Sequence, residues 1–426
     1  MADTEHERRE LQQFLLYLGS ALTAAGEAVN QIEDRLRRVA AAYGAPQARV
    51  SVLPTYLVVS LEPGRPATLE PTRQLRGGLR LDQVAAVYAL LKEAEQGQPE
   101  PAEGIGRIER IVAMRARFRP ALQIGSYAVL TGGICLVLQP TWGDLLLSVI
   151  FGAMVGALKL VGSRWVSVQM IMPVVAAFTV SAVTFLLADT GWAHADLRAM
   201  VAPLATFLPG AMLTMGVVEI SAAEMVTGAS RLVTGVLQLL LLAFGIVGAA
   251  QTVGLPRVET QTEAFQHSLG PWAPWLGALI VAVGSYLVHS APRRTLGWLC
   301  LVLYAAWIGQ YFGNILLGGY LSGFVGALVL TVVACLVERL PSGPPALVSF
   351  LPGFWLLVPG ALSLIGVTEA LGADKAQASE DLLNAMASML AVALGVLCGH
   401  PVYRAIARSL DSFGAGEQAH PVQEER

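Results

Sequence analysis

Apolar residues are concentrated after residue 119, in long hydrophobic runs that are separated by short polar loops. A helix that crosses a membrane needs about 20 predominantly apolar residues. On that basis the sequence predicts ten membrane spans, over residues 120–138, 144–162, 168–188, 198–218, 231–253, 271–290, 295–313, 318–337, 345–367 and 383–405. Residues 409–426 are polar, and we expect them to form a disordered tail.

The first 104 residues have the pattern of a small soluble α/β domain. Apolar positions recur at three- and four-residue steps over 10–43 and again over 80–95, which predicts two helices. Residues 48–64 alternate like strands, and 67–72 would add another. A basic amphipathic helix over 105–119 is expected to lead into the first span. We interpret Glu27, Glu33 and Asp34 as a solvated helix face.

Composition agrees with a membrane protein, because 54% of the 426 residues are hydrophobic and only 14% are charged. An ordinary soluble domain carries about 25% charged residues. The excess of apolar residues excludes a secreted disulfide scaffold and a disordered regulator, and the net charge of -3 gives no reason to expect a nucleic-acid partner. The N-terminus lacks an apolar run behind a cationic start, so we expect no signal peptide.

No cofactor, metal or catalytic residue set is predicted. The front domain has no phosphate loop, no CxxC and no HExxH. Six histidines are too few to favour a membrane-embedded enzyme. The cysteines lie in apolar runs and are expected to act as small hydrophobic residues: Cys135, Cys300, Cys335 and Cys398.

The positive residues predict the orientation of the chain, since cytoplasmic loops are enriched in Lys and Arg. Five arginines between 107 and 119 precede the first span and place the N-terminus inside. With ten spans, eight positive residues then fall inside: Lys159, Arg164, Arg231, Arg293, Arg294, Arg339, Arg404 and Arg408. Three fall outside: Arg198, Arg257 and Lys375. Both termini are therefore expected in the cytoplasm.

A sequence repeat divides the membrane part into two halves. Residues 207–220 read FLPGAMLTMGVVEI and residues 357–370 read LVPGALSLIGVTEA, with 6 of 14 positions identical at an offset of 150. The same offset relates Gly245 to Gly395. The copies would cover 120–253 and 271–405. Because five spans is an odd number, the second copy would be inverted, which is an architecture common among secondary transporters.

Each copy of the repeat carries a Pro-Gly pair inside a predicted span, at Pro209–Gly210 and Pro359–Gly360. Proline removes a backbone donor and glycine tolerates an unwound backbone. A helix broken at that depth exposes carbonyls and amides that need a partner. Matching breaks in two halves predict a transport site; the alternative is a simple kink that a neighbouring helix fills.

Polar residues near the breaks are the candidate site. Thr206, Thr214 and Ser363 flank the breaks and are the predicted substrate contacts. Glu219 and Glu369 each follow their proline by ten residues, so we expect them near opposite membrane faces, as gates or as sites for a proton or ammonium group, or simply as interfacial residues. Gln310 and Asn314 share a helix face and could line a polar path. Lys159 is expected to snorkel, and His289 to be interfacial.

Four stretches carry a family resemblance. They are LGSALTAAGEAVNQIEDRLRRVAAAYG at 18–44, VSVLPTYLVVSL at 50–61, TRQLRGGLRLDQVAAVYAL at 72–90 and FLPGAMLTMGVVEISAAEMVTGASRL at 207–232. Together they resemble the threonine/serine exporter family, most strongly over 15–95 and 200–250. The resemblance implies a cytoplasmic N-terminal domain before ten spans in two halves. It also implies export of L-threonine and L-serine across the cytoplasmic (inner) membrane, driven by the proton motive force.

The expected partners are therefore a small amino-acid substrate, protons and the lipid bilayer. The sequence is also compatible with a homo-oligomer. Two other functions stay open at the level of the sequence. A channel would conduct without saturation or a coupling ion. A receptor or scaffold would use the front domain as its working part.

Overall fold

The computed structural model describes residues 2–62, 68–71, 78–138, 140–162, 165–188, 197–253, 269–357, 364 and 375–417. It is mainly helical, with one small sheet. The front domain contains α1 (Ala2–Ala25), α2 (Val29–Ala42), β1 (Arg49–Val52), β2 (Tyr56–Ser60), β3 (Thr68–Pro71), α3 (Leu81–Ala94) and α4 (Pro101–Val112). The apolar part contains α5 (Pro120–Val137), α6 (Trp142–Gly162), α7 (Val166–Ala188), α8 (Leu197–Leu204), α9 (Gly210–Ser221), α10 (Met225–Val253), α11 (Ala273–Val288), α12 (Leu296–Leu317), α13 (Ser322–Glu338), α14 (Ala346–Leu356) and α15 (Lys375–Glu417).

The front-domain sheet is antiparallel in the order β1-β2-β3, so it follows the chain as a meander. Val50 pairs with Val59, and Val52 pairs with Leu57. These four side chains are buried, while alternate positions face outward. The buried face packs on α1 and α2, and the shared core includes Phe14, Leu18, Leu22, Ile32 and Leu36.

The prediction of a single helix over residues 10–43 is wrong, because the chain turns at Gly26. Gly26 has φ +89°, a left-handed conformation that ends a helix and that glycine adopts at low cost. Its amide donates to the Thr23 carbonyl at 3.1 Å, which closes α1, and α2 starts afresh at Val29. The apolar pattern continued across the break because both helices present one face to the same core.

The basic helix also differs from its predicted range of 105–119. It begins at Pro101, where the fixed φ of proline suits the first helical turn, and it ends at Val112. Gln83 on α3 accounts for this end: its side-chain amide donates to the carbonyls of Ile111 and Val112 at 2.9 and 3.0 Å. Residues 113–119 then reach the first span without regular structure.

Each of the ten predicted spans contains helix, but not all of these helices are long enough to cross a membrane on their own. Among the described residues, six helices meet that test by length and hydropathy, or seven if the bent pair Met200–Phe207 and Gly210–Ser221 counts as one span. Three further apolar helices are shorter, namely α11, α13 and α14. The finding is a helical membrane part with six or seven candidate spans.

Helix α15 is the longest element, with 43 residues. It extends through Glu417, so the prediction of a disordered tail is wrong for residues 409–417, which are helical. Asp411 on α15 forms an exposed ion pair of 2.5 Å with Arg339, directly after α13. Residues 418–426 of the predicted tail lie outside the described residues.

Two glycines that the repeat relates make the same close contact with a neighbouring helix. A Cβ atom on Gly245 would meet the Val174 carbonyl oxygen at 2.6 Å, the Ala177 Cβ at 2.8 Å and the Phe178 nitrogen at 3.0 Å. A Cβ atom on Gly395 would meet the same three atom types, each 150 residues later in the chain: Phe324 O, Ala327 Cβ and Leu328 N. Helices α7 and α10 therefore cross as α13 and α15 do.

We expect Gly245→Ala to destabilise the protein by about 1–3 kcal/mol, because the added methyl group overlaps the α7 backbone. The thermal unfolding midpoint of the purified protein in detergent measures the effect. Gly248→Ala is the matched control, since its methyl group would meet Phe178 Cδ2 at an ordinary 3.7 Å. Equal midpoints for the two variants would show that α7 and α10 are less closely packed at Gly245 than in the structure.

Candidate functional site

The fourth predicted span is broken at the proline that the repeat singled out. Helix α8 continues as a 3-10 turn over Ala205–Phe207, and α9 begins at Gly210 with Pro209 as its N-cap. The two halves are bent by 52°. Leu208 is extended, with φ -67° and ψ 130°, as expected for a residue before proline. The predicted break is therefore present at Pro209 and Gly210.

Side chains from two other helices satisfy carbonyls that the break exposes. Lys159 on α6 donates from Nζ to the Thr206 carbonyl at 3.1 Å. Gln238 on α10 donates to the Phe207 carbonyl at 2.6 Å. The Lys159 ammonium also lies over the Phe207 ring, 4.2 Å from its centroid, and 5.3 Å from the centroid of Tyr127. The expectation that Lys159 only snorkels is wrong, because its ammonium faces the break.

Two of the predicted substrate contacts carry hydroxyl groups with no hydrogen-bond partner in the described part of the chain. They are the side chains of Thr206 and Thr214. Thr214 is fully buried, and it lies four residues after Gly210, on the same face of α9. A buried polar atom without a partner costs free energy. These two hydroxyls therefore have hydrogen-bonding capacity that no described residue uses.

The second half of the predicted site lies outside the described residues: Pro359, Gly360, Ser363 and Glu369. Two described residues beside it belong to buried clusters that also include residues near the first break. Leu364 belongs to the buried cluster that contains Phe207 and Leu213. Leu357 belongs to a second cluster, against which Ala211 packs. The flanks of the second motif thus share buried clusters with residues beside Pro209 and Gly210.

The predicted polar path of Gln310 and Asn314 is divided in the structure. Gln310 is partly buried on α12, and its side-chain oxygen has no partner among the described residues. It lies where α12 crosses α13, since a Cβ on Gly326 would be 3.0 Å from the Gln310 Cβ and 2.7 Å from Leu357. Asn314, one turn further along, is exposed. Of the two residues, only Gln310 is directed into the bundle.

Glu219 joins the far end of α9 to the front domain. Its side chain is fully buried and pairs with Arg231 on α10 at 3.0 Å. Its other oxygen accepts from the Val29 amide, in the first turn of α2, at 3.3 Å. A carboxylate is stabilised at a helix N-terminus. About 14 Å of helix separates Glu219 from Gly210. Glu219 is therefore placed at the domain junction and away from the break.

The ion pair continues into the front domain through Glu27. Arg231 donates to the Glu27 carbonyl at 3.4 Å, and the Glu27 carboxylate pairs with Arg35 at 3.1 Å. Tyr88 donates its hydroxyl proton to the same carboxylate. Burial, together with the Glu27 charge, raises the Tyr88 pKa well above its usual value of 10.0, so the phenol keeps its proton. Glu27 is only 4% exposed.

The interpretation of a solvated acidic face is therefore wrong for Glu27, and wrong in part for Glu33, which is 12% exposed and accepts from the Val52 amide at 3.0 Å. It holds for Asp34, whose side chain is 68% exposed.

Three further contacts join the front domain, or the segment directly after it, to the ends of apolar helices. Gln31 on α2 contacts the His400 ring on α15 at 2.9 Å. The Leu81 amide donates to the His289 carbonyl at 3.0 Å, and Arg117 donates to the Ala291 carbonyl at 3.1 Å. These contacts, like Glu219, lie at helix ends that the positive residues predict to be cytoplasmic.

Lys159, Gln238 and Arg231 are the functional candidates that the sequence did not assign to the site. Each lies on a different helix or turn from the residue that it contacts in the site. Their residue types are visible in the sequence, but the direction of each side chain depends on helix packing. Within the described ranges, no group of three His, Cys, Asp or Glu residues could hold a metal ion, and all four cysteines are free.

Comparisons with known proteins agree on a membrane family. A family model described as "Putative threonine/serine exporter" (ThrE) matches residues 13–253. Three similar proteins are each called pheromone-regulated membrane protein 10. That of Yarrowia lipolytica is 22% identical in an alignment of 377 positions that covers 84% of this chain and 30% of the relative. That of Candida glabrata is 22% identical in an alignment of 424 positions that covers 92% of this chain and 52% of the relative. That of Saccharomyces cerevisiae is 22% identical in an alignment of 295 positions that covers 67% of this chain and 76% of the relative.

The chain thus spans only about a third to a half of the Yarrowia and Candida relatives. No solved structure matches it. The family model covers more than half of the chain, including the front domain and the broken helix. The chain is a multi-pass membrane protein, and it belongs to the threonine/serine exporter (ThrE) family.

Proposed function

We propose that this protein is a secondary transporter that exports small hydroxy amino acids, L-threonine and L-serine, from the cytoplasm and is coupled to the proton motive force. The observation that carries the proposal is the break between α8 and α9, where Lys159, Gln238 and two unpartnered threonine hydroxyls surround exposed backbone groups. Family membership supports an exporter as the general class.

The chemistry of the break suits a zwitterion that carries one extra hydroxyl group. The first amides of α9 have no partner within the helix, and they lie at the positive end of its dipole. The hydroxyls of Thr206 and Thr214 can bond the substrate hydroxyl. Backbone carbonyls at the break can accept from the substrate ammonium. In this proposal Pro359, Gly360 and Ser363 also contribute to the site.

Two similar halves of opposite orientation would give the protein two conformations of similar energy, one open to each side. The matching contacts of Gly245 and Gly395 support the repeat, because the same three atoms recur 150 residues apart. In this proposal α11, α13 and α14 complete their spans with flanking residues, which gives ten. The contacts of the front domain support a cytoplasmic position for both termini.

In this proposal Glu219 is a gating residue, and the substrate binds at the break. Glu219 links α9 to α2 and Arg231, so a movement of α9 must change its partners. Glu369 would hold the corresponding position in the second half. Gln310 extends the polar lining towards α13, with Asn314 at the exposed end.

Flux measurements on purified protein in lipid vesicles test the proposal. Vesicles loaded with labelled threonine or serine are expected to release it with saturable kinetics, and faster when the outside is made more acidic. Protein-free vesicles give the background. Release that grows linearly with concentration and ignores the pH gradient would indicate a channel. Vesicles that release neither amino acid above background would refute the proposal.

A further inference from the structure

We infer that the Lys159 ammonium binds the carboxylate of the transported molecule, so that the site selects small carboxylates. This inference rests on the proposed function and names the group that recognises its substrate. Lys159 lies on α6, a helix outside the repeated motif, and the transport proposal assigns it no substrate group.

The contacts of Lys159 are all with uncharged groups, and no acidic side chain among the described residues neutralises its charge. Its Nζ contacts one carbonyl oxygen and two aromatic faces. Among the described residues, no carboxylate lies within ion-pair distance of it, whereas ten ion pairs form elsewhere among those residues, eight of them within the front domain. Lys159 is thus a charged group held by neutral partners.

A charge inside a membrane span is costly and is usually kept for a function. A carbonyl and ring faces offset only part of that cost, because a carboxylate forms shorter and stronger hydrogen bonds with an ammonium group. A substrate carboxylate could therefore replace the Thr206 carbonyl as the hydrogen-bond partner of Lys159, at a small cost in free energy. The start of α9, which lies three residues beyond Phe207, adds free amides that favour the same anion.

The alternative is a purely structural lysine. A cation at the C-terminal end of the first half-helix caps its last carbonyls and complements its dipole. Loss of such a cap would lower stability but would leave the choice among ligands unchanged. Selectivity between a carboxylate and an alcohol therefore separates the two roles.

The first test needs no variant. Release of labelled serine from vesicles that hold the wild-type protein is competed with two analogues of serine. Glycerate keeps the carboxylate and loses the amine, and serinol keeps the amine and replaces the carboxylate with an alcohol. We expect glycerate to compete at least about 10-fold better than serinol, because glycerate keeps an ion pair with Lys159, whereas serinol brings a second positive charge to the same place without a carboxylate. Equal competition, or better competition by serinol, would overturn the inference.

The second test removes the charge. Lys159→Met keeps the length of the side chain, and Lys92→Met removes an exposed lysine of the front domain as the matched control. We expect Lys159→Met to raise the half-saturating serine concentration about 10-fold or more and to abolish the preference for glycerate, while Lys92→Met changes neither. A folded Lys159→Met protein, with unchanged elution and unfolding midpoint, that keeps wild-type selectivity would refute the inference.

If Lys159→Met does not fold, equal competition by glycerate and serinol on the wild-type protein still refutes the inference. A wild-type protein that moves no serine or threonine would refute the proposed function, whereas serine flux without carboxylate selectivity would refute only the role of Lys159.

Discussion

Gly216→Leu is expected to lower threonine and serine flux at least about 100-fold while the protein still inserts into the membrane. Gly216 on α9 and Gly228 on α10 face each other. A Cβ atom on Gly216 would lie 2.9 Å from the Gly228 carbonyl oxygen, and one on Gly228 would lie 2.6 Å from the Gly216 carbonyl oxygen. Two backbones meet here, so no flexible side chain can move aside. A leucine must displace α9, and with it the break at Pro209.

The size of the effect follows from the position of this crossing. Gly216 lies six residues after Gly210, so a displaced α9 shifts the free amides and the Thr214 hydroxyl together. A misplacement of about 1 Å can cost about 100-fold where a site depends on geometry. The overlap itself costs about 1–3 kcal/mol of stability.

The vesicle assay measures this flux, and gel filtration in detergent reports whether the variant is folded. Gly125→Leu on α5 is the matched control, since no atom lies within 4 Å of a Cβ at that glycine. Normal flux from a folded Gly216→Leu protein would mean that the position of α9 does not matter to transport.

Glu219→Gln is expected to loosen the front domain from the membrane part. The change keeps the shape of the side chain but leaves Arg231 without its carboxylate and weakens the bond from the Val29 amide. Breaking a buried ion pair costs about 3–5 kcal/mol. Arg231 is 21% exposed, so the lower end of that range applies. Hydrogen exchange in the first turn of α2 should accelerate about 100-fold.

Asp34→Asn is the matched control for Glu219→Gln, because it removes a carboxylate from α2 itself. The Asp34 pair with Arg37 is exposed, and such pairs contribute about 0–1 kcal/mol. Its effect on exchange should stay below about fivefold. Unchanged exchange at Val29 in Glu219→Gln would show that other contacts, such as that of Gln31 with His400, dock the domain alone.

The sequence predicted the elements whose signal is local. The strands near Val50 and Val59, the helix over 80–95 and the break at Pro209 all follow from residue spacing or from proline chemistry. The turn at Gly26 was missed because both flanking helices bury one continuous face. Among the described residues, three of the ten predicted spans contain helices of only 16, 17 and 11 residues, because hydropathy predicts where apolar sequence lies and not where a helix begins or ends.

The candidate site was only half visible from the sequence, for a physical reason. Thr206 and Thr214 were found because they lie beside the break in the chain. Lys159 and Gln238 reach the break from other helices, 47 and 31 residues away from their partners. Glu27 looked solvated because its membrane partner Arg231 lies 204 residues away. Hydropathy sets the depth of a residue, but only packing sets the direction of its side chain.

The length of α15 has a practical consequence for handling the protein. Its 43 residues extend about 65 Å, roughly twice the 30 Å of a hydrocarbon core. About 25 Å of helix follows His400, the residue that contacts the front domain. A detergent belt that coats the apolar surface would leave this end uncovered. An epitope or fluorescent reporter fused after Glu417 should therefore remain accessible to an antibody in the purified protein.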